Sequence, residues 1–264
     1  MLTPSTIGED LADFFRASQV STAIISAATV DLAERAELAQ QRLDQARFDQ
    51  APVIHKGRPV GWVATRALTQ GSSVQAVMTA LEDCTLVSAE ASIAAILQLL
   101  LDEQFIFTVS KEGVSGFIVH SDIDRHAVRS YLYLLVSGIE MLLAEIVKSA
   151  TPEEQIASRI RAGLQDAYSQ ACAENRETSA AEYLYIGELV DLFNQTSYAG
   201  DADLWDAESR HLLIQIKNFR NTVMHPARSI AAAHNIEAAA HLPGWASVVS
   251  DRLRRIIMLL DRSS

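Results

Sequence analysis

The sequence predicts an α+β protein built in two parts, and three observations support this division. The first part repeats one order of elements twice, namely a strand, an amphipathic helix and a hairpin. From Asp122 onward the strand signals stop and apolar residues recur at helical spacing. Capping sequences then mark further helix starts, which is typical of a helical bundle. We therefore predict a domain over residues 1–125, a domain over residues 126–264, and a continuous helix over about residues 122–149 that joins them.

The first copy of the repeat is predicted from residue types that favour each element. A strand is expected at Thr22–Ile25 and a helix at Val30–Arg47. Two β-rich runs, Pro52–His55 and Pro59–Ala64, then form a hairpin that turns at Lys56-Gly57. This order predicts a βαββ module packed around its own helix.

The second copy follows the same plan about fifty-five residues later, which suits two packed modules related by a pseudo-twofold axis. Its strand is expected at Thr85–Val87 and its helix at Ser92–Glu103. Its hairpin joins Phe105–Val109 to Ser115–His120 through a turn at Glu112-Gly113. The sequence therefore predicts an internal duplication.

Four to five helices are predicted in the second part. The joining helix carries apolar residues at Tyr131, Leu135, Ile139, Leu142 and Ile146. Further starts are predicted at Thr151-Pro152-Glu153-Glu154, where a capping box is possible, and at the box of Ser179 and Glu182. Two more helices are defined by Leu212, Ile216, Phe219 and Val223, and by Val249, Leu253, Ile256 and Leu260. The Ala-rich stretch Pro226–Pro243 is expected to be a loop with some helix in it.

Composition excludes some classes of function. A formal net charge of −11 argues against an extended nucleic-acid surface, because lysine and arginine supply most of that affinity. The apolar run Tyr131–Val147 contains two glutamates, so we interpret it as a packed helix and expect no membrane span. The N-terminal residues show no targeting segment, which predicts a cytoplasmic protein. Neither the cysteines nor the histidines have the spacing of a metal site, so no metal is expected.

The first part resembles a CBS domain pair. The resemblance rests on Phe48–Ile54 with Gly57–Val63 in the first copy and on Gly116–Ile123 in the second. It implies two βαββα modules, at about residues 8–70 and 76–125, with a cleft for an adenine nucleotide such as AMP, ADP or ATP. By this resemblance the carboxylate of Asp122 would bind the ribose hydroxyls.

The sequence departs from the family pattern at three positions. A threonine expected in each copy is Val119 in the second and Ala64 in the first, and the first copy has Ala67 where the aspartate should stand. At most one ordinary nucleotide site is therefore predicted. Asp122 has a second interpretation, since aspartate is also a common cap at a helix start.

The second part resembles HEPN domains in the phrase Lys217–Pro226, which contains an Arg-polar-x-x-x-His pattern. The resemblance covers about residues 126–262 and implies a helical bundle that forms a homodimer and, in many members, cleaves RNA without a metal. The residues that match the pattern are Arg220, Asn221 and His225.

The chemistry of these three residues fits that activity. Cleavage needs a base for the ribose 2′-hydroxyl, for which histidine is suited, and a fixed cation for the phosphate, for which arginine is suited. Asn221 and His225 share a helical face, but Arg220 lies about 140° away from His225 on a continuous helix. Because Pro226 disfavours helical geometry at His225, we predict that the helix ends there.

Other interpretations stay open at this point. Arg220 could pair with an acid such as Glu188 or Asp191, with Asn221 as a cap and His225 as a helix terminator. The leading hypothesis is an adenine-nucleotide-responsive protein whose HEPN-like domain is a possible metal-independent endoribonuclease. The alternative is a non-catalytic nucleotide sensor or dimeric scaffold that binds a macromolecular partner, and a degenerate pair that binds no nucleotide is a third possibility.

Overall fold

The computed structural model describes residues 14–174, 176, 178–225 and 227–263. These residues form two compact units, the first ending at Val128 and the second beginning at Arg129. Both sheets lie in the first unit, and the described residues of the second unit contain helices and no strand. The predicted α+β class is therefore confirmed.

Two four-stranded sheets form the first unit. The strands are β1 (Thr22–Ala23), β2 (Val30–Asp31), β3 (Gln50–His55), β4 (Arg58–Ala64), β5 (Thr79–Ala80), β6 (Thr85–Ser88), β7 (Phe105–Ser110) and β8 (Gly113–Val119). One sheet has the order β2-β3-β4-β5 and the other the order β1-β8-β7-β6. The central pairs β3-β4 and β7-β8 are the two predicted hairpins, which are confirmed.

Each copy contributes its first short strand to the sheet of the other copy. Strand β1 pairs antiparallel with β8, and β5 pairs antiparallel with β4. These crossings explain the glycines at equivalent positions of β4 and β8. A Cβ on Gly116 would lie 2.7 Å from the carbonyl oxygen of Thr22, and one on Gly61 would collide with the carbonyl of Thr79. Any larger residue would push the exchanged strand away.

The elements before the first hairpin differ from the prediction. The helix expected from Val30 begins only at Ala36, since Val30–Asp31 forms β2 beside β3. The carboxylate of Asp31 accepts a hydrogen bond from the amide of Ala33 at 2.9 Å, and this local turn competes with helix formation. The strand expected at Thr22–Ile25 stops after two residues.

The helices of the first unit are α1 (Ala36–Ala46), α2 (Val74–Val77) and α3 (Ile93–Leu99). The apolar face of α1 packs on the first sheet, with Ala36, Ala39 and Leu43 fully buried. The first hairpin turns at Lys56-Gly57 as predicted, and both residues have positive φ. The second turns at residues 111–112, one residue earlier than predicted, because Gly113 already belongs to β8.

The helices of the second unit, with α4 starting just before it, are α4 (His126–Ala150), α5 (Glu153–Ala157), α6 (Ala162–Ala173), α7 (Ile186–Phe193), α8 (Ser197–Gly200), α9 (Ala207–Met224) and α10 (Ala233–Ser263). Five of those described have eight residues or more, in agreement with the predicted number. Buried residues of α4, among them Leu132, Val136, Ile139 and Leu143, contribute to the helical core.

Three boundaries in this region were predicted wrongly. Helix α4 begins at His126 and not near residue 122, since His120–Asp124 forms a 3-10 turn. Pro152 caps α5 without a side-chain hydrogen bond, so the capping box expected there does not form. Helix α10 runs from Ala233 through Pro243, where a loop with only some helix was expected. Buried residues on both sides of Pro243, such as Leu242 and Ala246, provide the packing that offsets the lost backbone hydrogen bond.

One helix among the described residues, α4, is long and apolar enough to cross a membrane by length and composition alone. Half of its most apolar stretch is buried inside the structure. That burial is the behaviour expected of a core helix.

Candidate functional site

The end of helix α9 determines how the motif residues are presented. The helix starts at the cap Asp206, whose carboxylate accepts from the amide of Ser209 at 2.8 Å. It ends at Met224, and His225 has extended backbone angles (φ −107°, ψ 103°). The predicted helix end is confirmed, although Pro226 itself lies outside the described residues. His225 is thereby turned away from the direction that a continued helix would impose.

A cavity of about 540 Å³ brings the three motif residues together. Its lining contains Arg161, Tyr185, Ile186, Gly187, Lys217, Asn218, Arg220, Asn221 and His225. Asn221 and His225 are exposed, whereas Arg220 is largely covered, with 15% of its side chain exposed. A basic group, an amide and an imidazole therefore face one space of nucleotide size.

Arg220 is oriented by an acid from another helix. Its Nε donates to Oε1 of Glu140 on α4 at 3.2 Å, and its guanidinium carbon lies 5.3 Å from the ring centroid of Tyr185. The sequence left open that Arg220 pairs with an acid such as Glu188 or Asp191, and in the structure the acid that pairs with it is Glu140. Glu140 lies eighty positions away in the chain, so only the packing of α4 against α9 brings the two side chains together.

Glu188 instead pairs with Arg161 from the start of α6. Both Nε and Nη2 of Arg161 lie 2.7 Å from Oε1 of Glu188, and its guanidinium carbon lies 4.4 Å from the Tyr185 centroid. The hydrogen bond and charge of Glu188 raise the pKa of Arg161. The other oxygen of Glu188 is buried and has no hydrogen-bond partner in the described part of the chain. The Tyr185 ring therefore packs against two guanidinium groups at the cavity wall, those of Arg161 and Arg220.

The C-terminal end of α9 is held by Arg129 of α4. Its Nη1 donates to the carbonyl oxygens of Thr222 at 2.9 Å, Val223 at 3.1 Å and His225 at 3.4 Å. Its Nη2 donates to the carbonyl oxygen of Arg228 at 2.8 Å. A helix end leaves its last carbonyls without partners, and a cation there also interacts favourably with the helix dipole. Arg129 therefore stabilises the backbone that carries His225.

Asp122 lies in the first unit, where its carboxylate is already engaged. It accepts from the amide of Val119 at 2.9 Å and forms an ion pair with Arg125 at 2.6 Å, and Arg125 also donates to Thr22. Burial raises the pKa of Asp122, and these contacts lower it by less. Asp122 caps the 3-10 turn His120–Asp124, which precedes α4. The interpretation of Asp122 as the cap of the long helix therefore placed the cap at the wrong element.

The equivalent region of the first copy has no carboxylate. Ala67 stands at the position equivalent to Asp122 and packs against the core of the first sheet. Thr65, two residues earlier, donates from its hydroxyl to the carbonyl of Phe48 at 2.6 Å and is buried. The hydroxyl of Thr65 is thus used in a structural hydrogen bond within the first unit.

Several residues that line the cavity or support the motif were not found from the sequence. Lys217 and Asn218 were visible in principle, since they precede Asn221 by one turn of the same helix face. Arg161, Glu140 and Arg129 had no signal, because each comes from a distant segment. Among the described residues, no group of three or more histidine, cysteine or acidic side chains is arranged to hold a metal ion.

Comparison with known proteins reveals similarity in fold for the N-terminal part. The chain is similar to a CBS domain-containing protein of Bacillus anthracis, with 20% identity over 44% of this chain and 94% of that one, at a TM-score of 0.39. It is also similar to the CBS-pair protein CBSX2 of Arabidopsis thaliana, with 18% identity over 44% and 96% at a TM-score of 0.40.

A third similar structure is the CBS domain of a bacterial CNNM/CorC family Mg²⁺ transporter in complex with ATP, with 13% identity over 44% and 89% at a TM-score of 0.39. No protein-family model matches the chain, and no curated protein matches it either. These likenesses concern fold alone.

Proposed function

We propose that this protein responds to an adenine nucleotide through its first unit and cleaves RNA without a metal through its second. The observation that carries the second half is the convergence of Arg220, Asn221 and His225 on one cavity. On a continuous helix Arg220 and His225 would point in different directions. Because the helix ends at Met224, His225 can face the same cavity as Arg220. The proposal includes a homodimer, as the resemblances of the two halves imply, and a cytoplasmic location.

The proposed reaction is an internal transfer at phosphorus. His225 takes the proton of the ribose 2′-hydroxyl, and that oxygen attacks the adjacent phosphorus. The bond from phosphorus to the 5′ oxygen of the next nucleotide breaks, and this oxygen leaves with a proton from water. The products are a 2′,3′-cyclic phosphate and a 5′-hydroxyl end. His225 returns its proton to solvent, so no oxidant or cofactor is needed.

The two other motif residues stabilise charge and geometry. Arg220 would bind the non-bridging oxygens of the phosphate, whose negative charge spreads in the transition state. Glu140 contacts the Nε edge of this guanidinium, and no described residue is bonded to its terminal nitrogens, which can therefore bind the phosphate. Asn221 would orient the attacking hydroxyl or the phosphate through its amide.

The proposed nucleotide site lies at Asp122. Structures similar to the first unit include CBSX2 in complex with AMP and the CNNM/CorC CBS domain in complex with ATP. In this chain ribose hydroxyls would replace Arg125 as the donor to the Asp122 carboxylate. AMP, ADP and ATP are the candidates, with one site per chain because Ala67 cannot bind a ribose.

The first experiment is a cleavage assay with EDTA present, using wild type, His225→Ala and the control His211→Ala. His211 is an exposed histidine on the same helix, outside the cavity lining. We expect wild type and the control to cleave equally, and His225→Ala to lose at least about a hundredfold in rate. Equal cleavage by His225→Ala would exclude the assigned base.

Each reaction is repeated with AMP, ADP and ATP, and with Asp122→Ala. We expect one nucleotide to change the rate of wild type and to leave the rate of Asp122→Ala unchanged. Nucleotide effects that survive in Asp122→Ala would place the ligand elsewhere.

A second candidate function is the non-catalytic sensor or dimeric scaffold that binds a macromolecular partner. The engagement of Arg220 by Glu140 and Tyr185 favours it, because a structural arginine would be satisfied in this way. Absence of cleavage by wild type under every nucleotide condition would select this candidate.

A further inference from the structure

We propose that the cavity contains a second anion subsite, formed by Arg161 and Lys217 beside Tyr185, which binds the nucleotide next to the scissile phosphate. This inference rests on the proposed function and names its substrate as single-stranded RNA, bound through at least two consecutive phosphates. The motif residues provide one phosphate position, and the second subsite lies along the same wall.

The geometry of α9 extends the polar face beyond the motif. Lys217 and Asn221 are four residues apart, so they share a face with a rise of about 6 Å between them. Asn218 precedes His225 by seven residues and also lines the cavity. The lining thus continues about one helical turn from Asn221, in the direction away from His225. A chain of phosphates can follow this face.

Arg161 approaches the cavity from a different segment and is held in place on two sides. Glu188 accepts from Nε and Nη2 through a single oxygen, and the Tyr185 ring lies against the guanidinium. Within the described residues Nη1 of Arg161 has no hydrogen-bond partner. A guanidinium fixed in this way can donate to a phosphate oxygen without first losing side-chain freedom.

The balance of charge points to an anion. Arg161 is paired with Glu188, and Arg220 is paired with Glu140. Lys217 lines the same cavity and, in the part of the chain that the structure describes, has no acidic partner. The cavity therefore holds one lysine charge that no carboxylate balances, inside a protein of net charge −11. A local cation of this kind attracts a phosphate group even when the whole surface repels it.

The aromatic group indicates a single strand. Bases of single-stranded RNA can be splayed out and stacked on tyrosine rings or on guanidinium planes, whereas paired bases cannot. Tyr185 and the two guanidinium groups beside it supply such a surface at the wall that also carries Lys217. Stacking accepts every base, so we expect little sequence preference at this subsite.

Binding is measured with a fluorescent oligouridylate that carries 2′-O-methyl groups and cannot be cleaved. Uridine is chosen because the proposed nucleotide site of the first unit prefers adenine. The proteins are wild type, Lys217→Gln, Arg161→Gln, Lys217→Arg and the control Lys148→Gln, which changes an exposed lysine of α4. Thermal unfolding of each variant verifies that it is folded.

We expect Lys217→Gln and Arg161→Gln to weaken binding by about tenfold. Each should also lower the slope of log Kd against log salt by about 1, as loss of one phosphate contact does. Lys217→Arg should bind like wild type, and so should the control. Unchanged affinity and slope in both glutamine variants would overturn the second subsite, even if wild type cleaves RNA. If wild type does not bind the oligouridylate, both the proposed function and the second subsite are overturned.

A second measurement separates RNA from a lone anion. Wild type should cleave a trinucleotide with a higher kcat/KM than a dinucleotide, and Lys217→Gln should lose this difference. Inorganic phosphate should compete only weakly. Competition by phosphate as strong as that by the oligonucleotide would mean that the subsite binds free phosphate, and the RNA assignment would fail.

Discussion

The guanidinium of Arg129 lies within hydrogen-bond distance, 3.4 Å, of the carbonyl oxygen of His225. The same nitrogen binds the carbonyls of Thr222 and Val223, so one side chain holds the last turn of α9 and the residue after it. Arg129 is also the residue at which the second unit begins. The position of the proposed base therefore depends on the first turns of α4.

Arg129→Met should lower both stability and activity, because it keeps the apolar stem and removes the donors. We expect the free energy of unfolding of the second unit to fall by about 2 kcal/mol, measured by chemical denaturation. RNA cleavage should fall further than the unfolded fraction explains, because His225 loses its support. Arg159→Met, an exposed arginine of the same unit, is the control. Equal stability of the two variants would contradict the bracing role.

Glu140→Gln should change kcat and KM in opposite ways. The substitution removes the charge that balances Arg220, so phosphate binding should become tighter and KM should fall. The weaker hydrogen bond leaves Arg220 less well oriented, so kcat should fall by about tenfold. Steady-state kinetics measure both, and Glu145→Gln on the exposed side of α4 is the control. A rise in kcat would show instead that Glu140 holds Arg220 in an inhibited position.

Asp122 makes the stability of the first unit depend on pH. Its folded-state pKa is raised above the ordinary value of 3.8, chiefly by burial. The folded state therefore binds the proton more tightly than the unfolded state. This contribution to stability is present below pH 3.8 and is lost as pH rises through the raised pKa.

Asp122→Asn should remove this part of the pH dependence, which denaturation of the first unit at a series of pH values measures. Asp102→Asn, at an exposed position, should leave the profile unchanged. A profile of Asp122→Asn that matches wild type would mean that another group is responsible.

Phe105 should be the most costly aromatic residue to remove from the first unit. It stacks between Trp62, at 5.2 Å, and Phe117, at 4.8 Å, and is 2% exposed. Phe105→Ala should therefore lower the free energy of unfolding by about 3–5 kcal/mol. Phe48→Ala, at a half-exposed ring, should cost much less in the same circular dichroism experiment. Similar losses in the two variants would show that the stack adds little.

The hairpins and main helices could be predicted because their signals are local. Lys56-Gly57 adopts the turn that its sequence favours, and the spacing of apolar residues along α9 matches its buried face. The start of α1 could not be predicted, because Val30 forms a strand only when β3 lies beside it. The part of α10 before Pro243 was not predicted as a continuous helix, because proline normally interrupts a helix. Here the packing of the residues around Pro243 outweighs that tendency.

The sequence by itself determined the α+β class, the duplicated order of elements, the helix break before residue 226 and the presence of Arg220, Asn221 and His225 near that break. These depend on residue types and spacings within a few turns of chain. The tertiary structure decided that Glu140 and not Glu188 binds Arg220, that Arg161 joins the cavity and that Arg129 supports His225. Such pairings join residues far apart in the chain, and their partners are selected by helix packing, which no local pattern records.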